Sequence, residues 1–285
     1  MKKILIISLL LFIISIGCVS ASDVDSANIE PIGGDINTNF TGNFESLQSL
    51  IDDASEGSTI NLNNNYTGSG EITIDKALTI NGNYNYINAL GESTIFKISA
   101  DDAVVLNNIL FFNGYSEENG GAINALGPLK LNNCYFENNV AENGGAVYSS
   151  DVITISNCEF NSNSAGRGGA VYLSERGFIN NVAEIKNTIF VNNKASNYGG
   201  ALYALRNLTI TNTDFKDNKV NGSGGAIYTR NGRATYSTIY DRGAPAYTVA
   251  NKLYYQLYIK ETVFLKTTLL KMKVEQYLSE LMTML

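Results

Sequence analysis

The chain of 285 residues contains no histidine. That removes the commonest general base at neutral pH, so any hydrolytic chemistry would have to fall to a pair of carboxylates. Proline is scarce, with three in the whole chain, and nearly every residue therefore keeps the backbone donor that a β ladder needs. The three cysteines, Cys18, Cys134 and Cys158, show neither a metal-ligand spacing nor a redox motif. Tight two-residue hairpin turns are missing from the central part of the chain, and so is helical periodicity. The apolar run from Ile4 to Ile16 spans 13 residues, too few to cross a membrane comfortably. Positive charge is also in short supply: the net charge is −7 and the isoelectric point about 4.8. The charge becomes −9 if Lys2 and Lys3 are removed, which argues against nucleic acid and anionic membranes as partners.

Lys2 and Lys3, the apolar run and the small residues Val19-Ser20-Ala21 together form the pattern of a secretory signal, with cleavage expected after Ala21. The alternative is lipidation at Cys18, since Ser15-Ile16-Gly17-Cys18 is a loose lipobox that lacks the leucine usual three places before the cysteine. Residues 22–42 are polar and read as a linker or disordered segment.

What the chain has in abundance is repetition. Gly-Gly-Ala followed by an aliphatic residue occurs at Gly120, Gly144, Gly168, Gly199 and Gly224, at intervals of 24, 24, 31 and 25 residues. A second mark, Phe-x-x-Asn or close to it, rides at the same period from Phe136, Phe160, Phe190 and Phe215, and Phe111 with Asn113 forms a degenerate copy. No single repeat is long enough to bury a core, so the units must cover one another as coils of a solenoid. Alternating segments such as Leu129-Lys130-Leu131 and Ile153-Thr154-Ile155 read as one strand per coil. The segment holding Cys134 and Phe136 reads as a second strand, with Phe inward. A third follows Gly-Gly-Ala, burying Val147 and its equivalents while Ala146 and Tyr148 face outward. Three short strands in about 24 residues suit an all-β parallel β-helix. Asn-Asn pairs mark the corners, where asparagine tolerates the left-handed backbone region. The extra residues of the 31-residue interval are expected to bulge out between Ser174 and Val182.

The two marks in fixed order resemble the chlamydial polymorphic outer-membrane-protein repeat, GGA[ILV] with FxxN, which is also widespread in adhesin-like proteins of methanogenic archaea. The resemblance covers roughly residues 105 to 230. It implies a right-handed parallel β-helix of the pectate-lyase-like superfamily and a cell-surface or secreted adhesin-like role, without a cofactor.

Upstream, Ile72-Thr73-Ile74, Leu78-Thr79-Ile80 and Val104-Val105-Leu106 read as less regular coils, so the solenoid is expected over residues 58–232. Before it, residues 43–57 read as a capping helix: Asn43 is the N-cap, Phe44, Leu47, Leu50, Ile51 and Ala54 form its apolar stripe, and Gly57 ends it. Cys134 and Cys158 lie one coil apart at equivalent inward positions, open either to a disulfide or to two small buried side chains.

Tyr148, Tyr172, Tyr203 and Tyr228 follow the Gly-Gly-Ala mark in four successive coils and form a candidate strip for glycans or proteins of other cells. Aromatic neighbours on one face also stabilise a sheet by themselves, so a purely structural role stays open. Asn39, Asn65, Asn207 and Asn221 fit the N-glycosylation pattern. Asp101-Asp102 reads as a solvated turn, Asp214 and Asp217 have no acidic company on neighbouring coils, and Arg167 and Arg176 have no stacked acidic cluster to hold calcium beside them. The reading is therefore a non-catalytic surface protein. A polysaccharide-active β-helix enzyme, or its inactive binding relative, is the alternative.

Residues 233–285 differ in kind: the Gly-Gly-Ala rhythm stops, asparagine nearly vanishes, and Val263 to Leu285 reads as an amphipathic helix. Permissible codons for Arg242 to Tyr247, read from the third base, give Gly-Gly-Ala-Ser-Ile-Tyr. The same shift from Val263 gives another repeat. A capping domain is one reading of the tail; the one expected here is a frameshifted continuation, with any surface anchor or outer barrel lying in the lost portion.

Overall fold

A computed structural model describes residues 42–175 and 182–230, together with the backbone of 234–242 and 247–249. The expected signal sequence, the lipobox cysteine, the expected linker but for Gly42, which bridges to Tyr66, and the helical reading of Val263 to Leu285 lie outside these residues.

The described chain is a parallel β-solenoid whose strands pair coil to coil. One inward column runs Ile60, Ile80, Leu106, Leu131, Ile155, Ile185, Ile210, each in register with the next. A second runs Ile72, Phe96, Ile123, Val147, Val171, Leu202, Ile227. A third is made of Ile87, Phe111, Phe136, Phe160, Phe190 and Phe215. The five Phe rings pile with centroids 4.7, 4.6, 4.8 and 4.8 Å apart and planes within 7° of parallel. That spacing is the inter-strand distance of a sheet, so the backbone ladder itself sets the stacking. All five are fully buried.

The coils of Gly144, Gly168 and Gly199 have four strands rather than the expected three, and the coil of Gly224, whose first two sides run as the single strand Leu208–Lys216, shares the additional one. The additional one is Val140–Asn143 and its equivalents Ser164–Arg167, Lys194–Tyr198 and Lys219–Val220, which form a sheet of their own. It escapes a periodicity search because it is short and its inward residues are small: a lone alanine in the case of Ala141 and Ala195, and Ala165 beside the buried Gly166. Ala146 also differs from expectation. It lies before the strand Val147–Ser149, in the corner, and is buried in the core with Ala122, Ala170, Ala201 and Ala226.

The corners use the left-handed region as the composition suggested. Asn108, Asn133, Asn157, Asn187 and Asn212 have φ between 48° and 54° at one corner, and Asn113, Asn138, Ser162, Asn192 and Asp217 between 52° and 57° at the next. Of the seven extra residues in the long interval, six lie between the strands Val171–Leu173 and Ala183–Lys186, as the pairing of Thr154 with Glu184 shows. The seventh is a bulge within Lys194–Tyr198, where the register moves from Ala165 with Ala195 to Arg167 with Tyr198.

The helix spans Phe44–Asp53 and buries Phe44, Leu47 and Ile51. Asn43 caps it in a reciprocal box with Ser46. Leu50 departs from the expected stripe and is 44 % exposed. At the other end the ladder passes the expected boundary at residue 232. Ala234–Arg242 pairs in register with Leu208–Lys216, and Tyr247–Val249 pairs with Ile227–Thr229. Asp241 takes the register position of the Phe column.

Candidate functional site

The recurring motif residues are consumed in holding the coils together. Gly144 sits at φ 66°, where a side chain is strained, and a Cβ on Gly145 would collide with the carbonyl oxygen of Gly169 in the next coil. The motif asparagines form a buried ladder. Asn163 Oδ1 accepts from the backbone N–H (3.0 Å) and the Nδ2 (2.9 Å) of Asn139. Its own Nδ2 donates to Phe136 O (3.1 Å) and to Asn193 Oδ1 (3.0 Å). Asn193 repeats the arrangement with Phe160 and Asn218. In the degenerate first copy the register position belongs to Gly114, whose N–H donates to Asn139 Oδ1 (2.8 Å), rather than to Asn113, which turns the corner.

The tyrosines of the strip are brought together as expected. Tyr148, Tyr172, Tyr203 and Tyr228 stack with centroids 5.4, 4.9 and 5.1 Å apart, and Asn124 holds the corresponding place one coil earlier. Their exposure is the correction. Tyr172, Tyr203 and Tyr228 are only 7, 5 and 7 % exposed, packed with Tyr148 and Leu205 in a cluster separate from the core. Face-to-face stacking occupies the ring faces, so edges and phenol oxygens are what the strip offers to a partner. Burial raises the phenols of Tyr172 and Tyr203, and Arg167 pulls both back.

Positive charge gathers along this strip. Arg167 reaches the Tyr172 phenol, Arg230 lies near Tyr203, and Tyr198 packs on Tyr203 and Tyr228 at 6.0 and 4.8 Å. Arg206 is buried. Its Nη2 donates to Ser149 Oγ at 2.8 Å and its Nη1 to Asp151 O, bridging past the coil that carries the six-residue insertion. Burial brings its guanidinium down to about 10.

A second cluster was missed in the sequence. On the outer face of the Phe-bearing strands, Tyr135 pairs with Glu159, and Glu137 with Asn161. Asn161 Nδ2 donates to the Tyr135 phenol at 3.1 Å, and burial pushes that phenol far above its ordinary value. Burial, then the charge of Glu137, raises the Glu159 carboxyl. The two acids stand 22 residues apart, two short of a coil, so only the coil register reveals them as diagonal neighbours.

The remaining candidates scatter. Asp101 and Asp102 are exposed in a bend. Asn39 lies outside the described residues. Asn65 is half-buried and accepts the Tyr86 N–H on its side-chain oxygen (3.0 Å), Asn207 is half-buried, and Asn221 is exposed. Cys134 and Cys158 are unbridged and buried, donating to carbonyls of Leu106 (3.4 Å) and Ser156 (3.3 Å) respectively. Burial, then the neighbouring Cys134, raises the Cys158 thiol. Among the described residues no group of three metal-ligating side chains comes together, and no helix is long and apolar enough to cross a membrane.

The family model for the Chlamydia polymorphic membrane protein repeat matches residues 133–150, 157–174, 187–205 and 212–230. Four stretches of the chain are similar to that repeat. Each match begins at a left-handed corner asparagine and ends just past the strand that follows Gly-Gly-Ala, so one match is three sides of one coil. Chlamydial proteins of this family are outer-membrane or surface proteins. Neither a curated protein nor a solved structure matches the chain.

Proposed function

We propose that this chain is an exported, non-catalytic, adhesin-like β-solenoid that acts at the cell surface or outside the cell by attaching to glycans or surface proteins. The observation that carries this reading is the division of labour within a coil. Residues that recur, the Phe, the ladder Asn, the glycines and Ala, point inward or turn corners, and outward positions, the tyrosine strip apart, change from coil to coil. Along one outer column the residues are Leu110, Tyr135, Glu159, Ile189 and Asp214. A constant frame with a variable outside is what a display scaffold requires. The repeat family, composed of surface proteins, supports the same location.

The test coats beads with the full chain and scores their retention on cell surfaces and glycan arrays, while the same glycans are assayed for new reducing ends and unsaturated products with and without calcium. Retention without turnover is expected. The Glu137 and Glu159 pair favours the second reading, a polysaccharide-active enzyme. Turnover abolished by Glu159→Gln would establish that reading in place of the first.

A further inference from the structure

The net charge of −7 conceals a polarity along the solenoid. Residues 42–160 carry fifteen carboxylates against three lysines, and residues 161–230 carry four carboxylates against eight lysines and arginines. An acidic chain therefore presents basic final coils.

Within those coils the cations are placed in register on one flank. Lys194 and Lys219 are direct partners on adjacent coils, in the outward column Val140, Ser164, Lys194, Lys219, and both are exposed. Like charges one coil apart, about 4.8 Å, repel unless an anion lies across them. Neither has an ion-pair partner among the described residues. The ion pairs found there are Lys97 with Glu71 and, at the 4.0 Å limit, Arg167 with Glu142. Farther along the same strands Arg167 is in register with Tyr198, whose ring leans on Tyr203 and Tyr228. The flank thus runs from a lysine pair, across an arginine, to the polar edges of the tyrosine ladder.

We propose that this flank binds a linear carboxylated glycan, a polyuronate, laid along the solenoid axis with its carboxylates on Lys194, Lys219 and Arg167. A polyuronate carries one charge per sugar, and over its last two coils the column offers one lysine per coil, at a rise close to one sugar of an extended chain. Tyrosine edges and phenols supply hydrogen bonds to hydroxyls, while the ring faces stay occupied by one another. The inference rests on the glycan-attachment reading above and names the ligand class for it.

The experiment measures binding of the full chain to polygalacturonate, to a sulfated glycan of equal length and to neutral dextran, at low and at moderate salt. Polygalacturonate is expected to bind best, dextran not at all, and salt to weaken the complex. Lys194→Gln with Lys219→Gln should weaken binding about tenfold with the thermal midpoint unchanged, because both side chains are exposed. Lys130→Gln, in the acidic half, should leave affinity unaltered. Equal affinity of the double variant and the parent overturns the site, and so does binding of dextran as tight as that of polygalacturonate. Binding of the sulfated glycan as tight or tighter overturns the carboxylate as ligand. If coated beads still attach to cells while polygalacturonate fails, this inference falls alone. If neither occurs, the attachment reading falls with it.

Discussion

Gln48, on the capping helix, pairs with the backbone of Thr73 as a strand would: Thr73 N–H donates to Gln48 Oε1 at 2.7 Å, and Gln48 Nε2 donates to Thr73 O at 3.0 Å. Ile72–Ile74 is the first strand of its sheet, so its outer edge has no preceding coil to satisfy it. One side-chain amide, held by a helix whose Leu47 and Ile51 also cover the core, closes that edge to a further chain.

Gln48→Ala should therefore destabilise the chain by about 1–3 kcal/mol, the sum of two hydrogen bonds and an unpartnered strand edge. Denaturant unfolding measures the loss, and self-association of the variant should rise as the edge opens.

Phe160 is stacked on both sides, by Phe136 at 4.6 Å and Phe190 at 4.8 Å, with no exposure. Phe160→Ala should lower stability by about 3–5 kcal/mol, and Phe160→Leu by less, because the leucine partly fills the cavity. A melting curve for each variant tests the order.

Asn163→Ala would take from Phe136 O and the Asn139 N–H their ladder partner inside the core, and would leave the Asn139 amide with Phe111 O alone. The expected loss is about 3 kcal/mol or more, because buried polar groups lose their partners. An unfolding midpoint equal to that of the parent would show the ladder to be dispensable.

The Glu159 carboxyl is raised in the folded chain, so the folded state holds its proton more tightly than the unfolded one. The stability from this linkage is fully present below the unfolded value of an ordinary glutamate and is lost as pH rises through the raised folded value. Unfolding midpoints of the parent should accordingly fall as pH climbs from the acid side toward neutrality. The Glu159→Gln variant should show a flatter profile and greater stability at neutral pH.

Cys134 and Cys158 should not react with a thiol reagent at neutral pH in the native chain, since both are buried and the Cys158 thiol is raised. Both should react at once in denaturant. Rapid native labelling would mean that these coils open readily.

The architecture was legible because it is written as period. Phe, Asn and Gly-Gly-Ala recur at one interval, and a repeating backbone turns equal spacing into vertical register, so the Phe column and the left-handed asparagine corners could be named in advance. The strand Val140–Asn143 left no such trace, having a single small inward residue. The tyrosine strip was placed on the correct face but taken as open. Its burial arises from ring-on-ring stacking and from Tyr198, which reaches it only because a one-residue bulge alters the register of its strand.

The amino-acid sequence alone determined that this chain winds into stacked coils, where the coils bend and which rings fill the interior, because those properties follow from residues one repeat apart. Tertiary structure decided everything that depends on which outward side chains become neighbours between coils. Glu137 meets Glu159, Lys194 meets Lys219, and Gln48 meets Thr73 through offsets of 22, 25 and 25 residues, and only the coil lengths and their irregularities set those meetings. Outward positions carry no periodic constraint from the core, so their chemistry is legible only once the ladder has fixed its register.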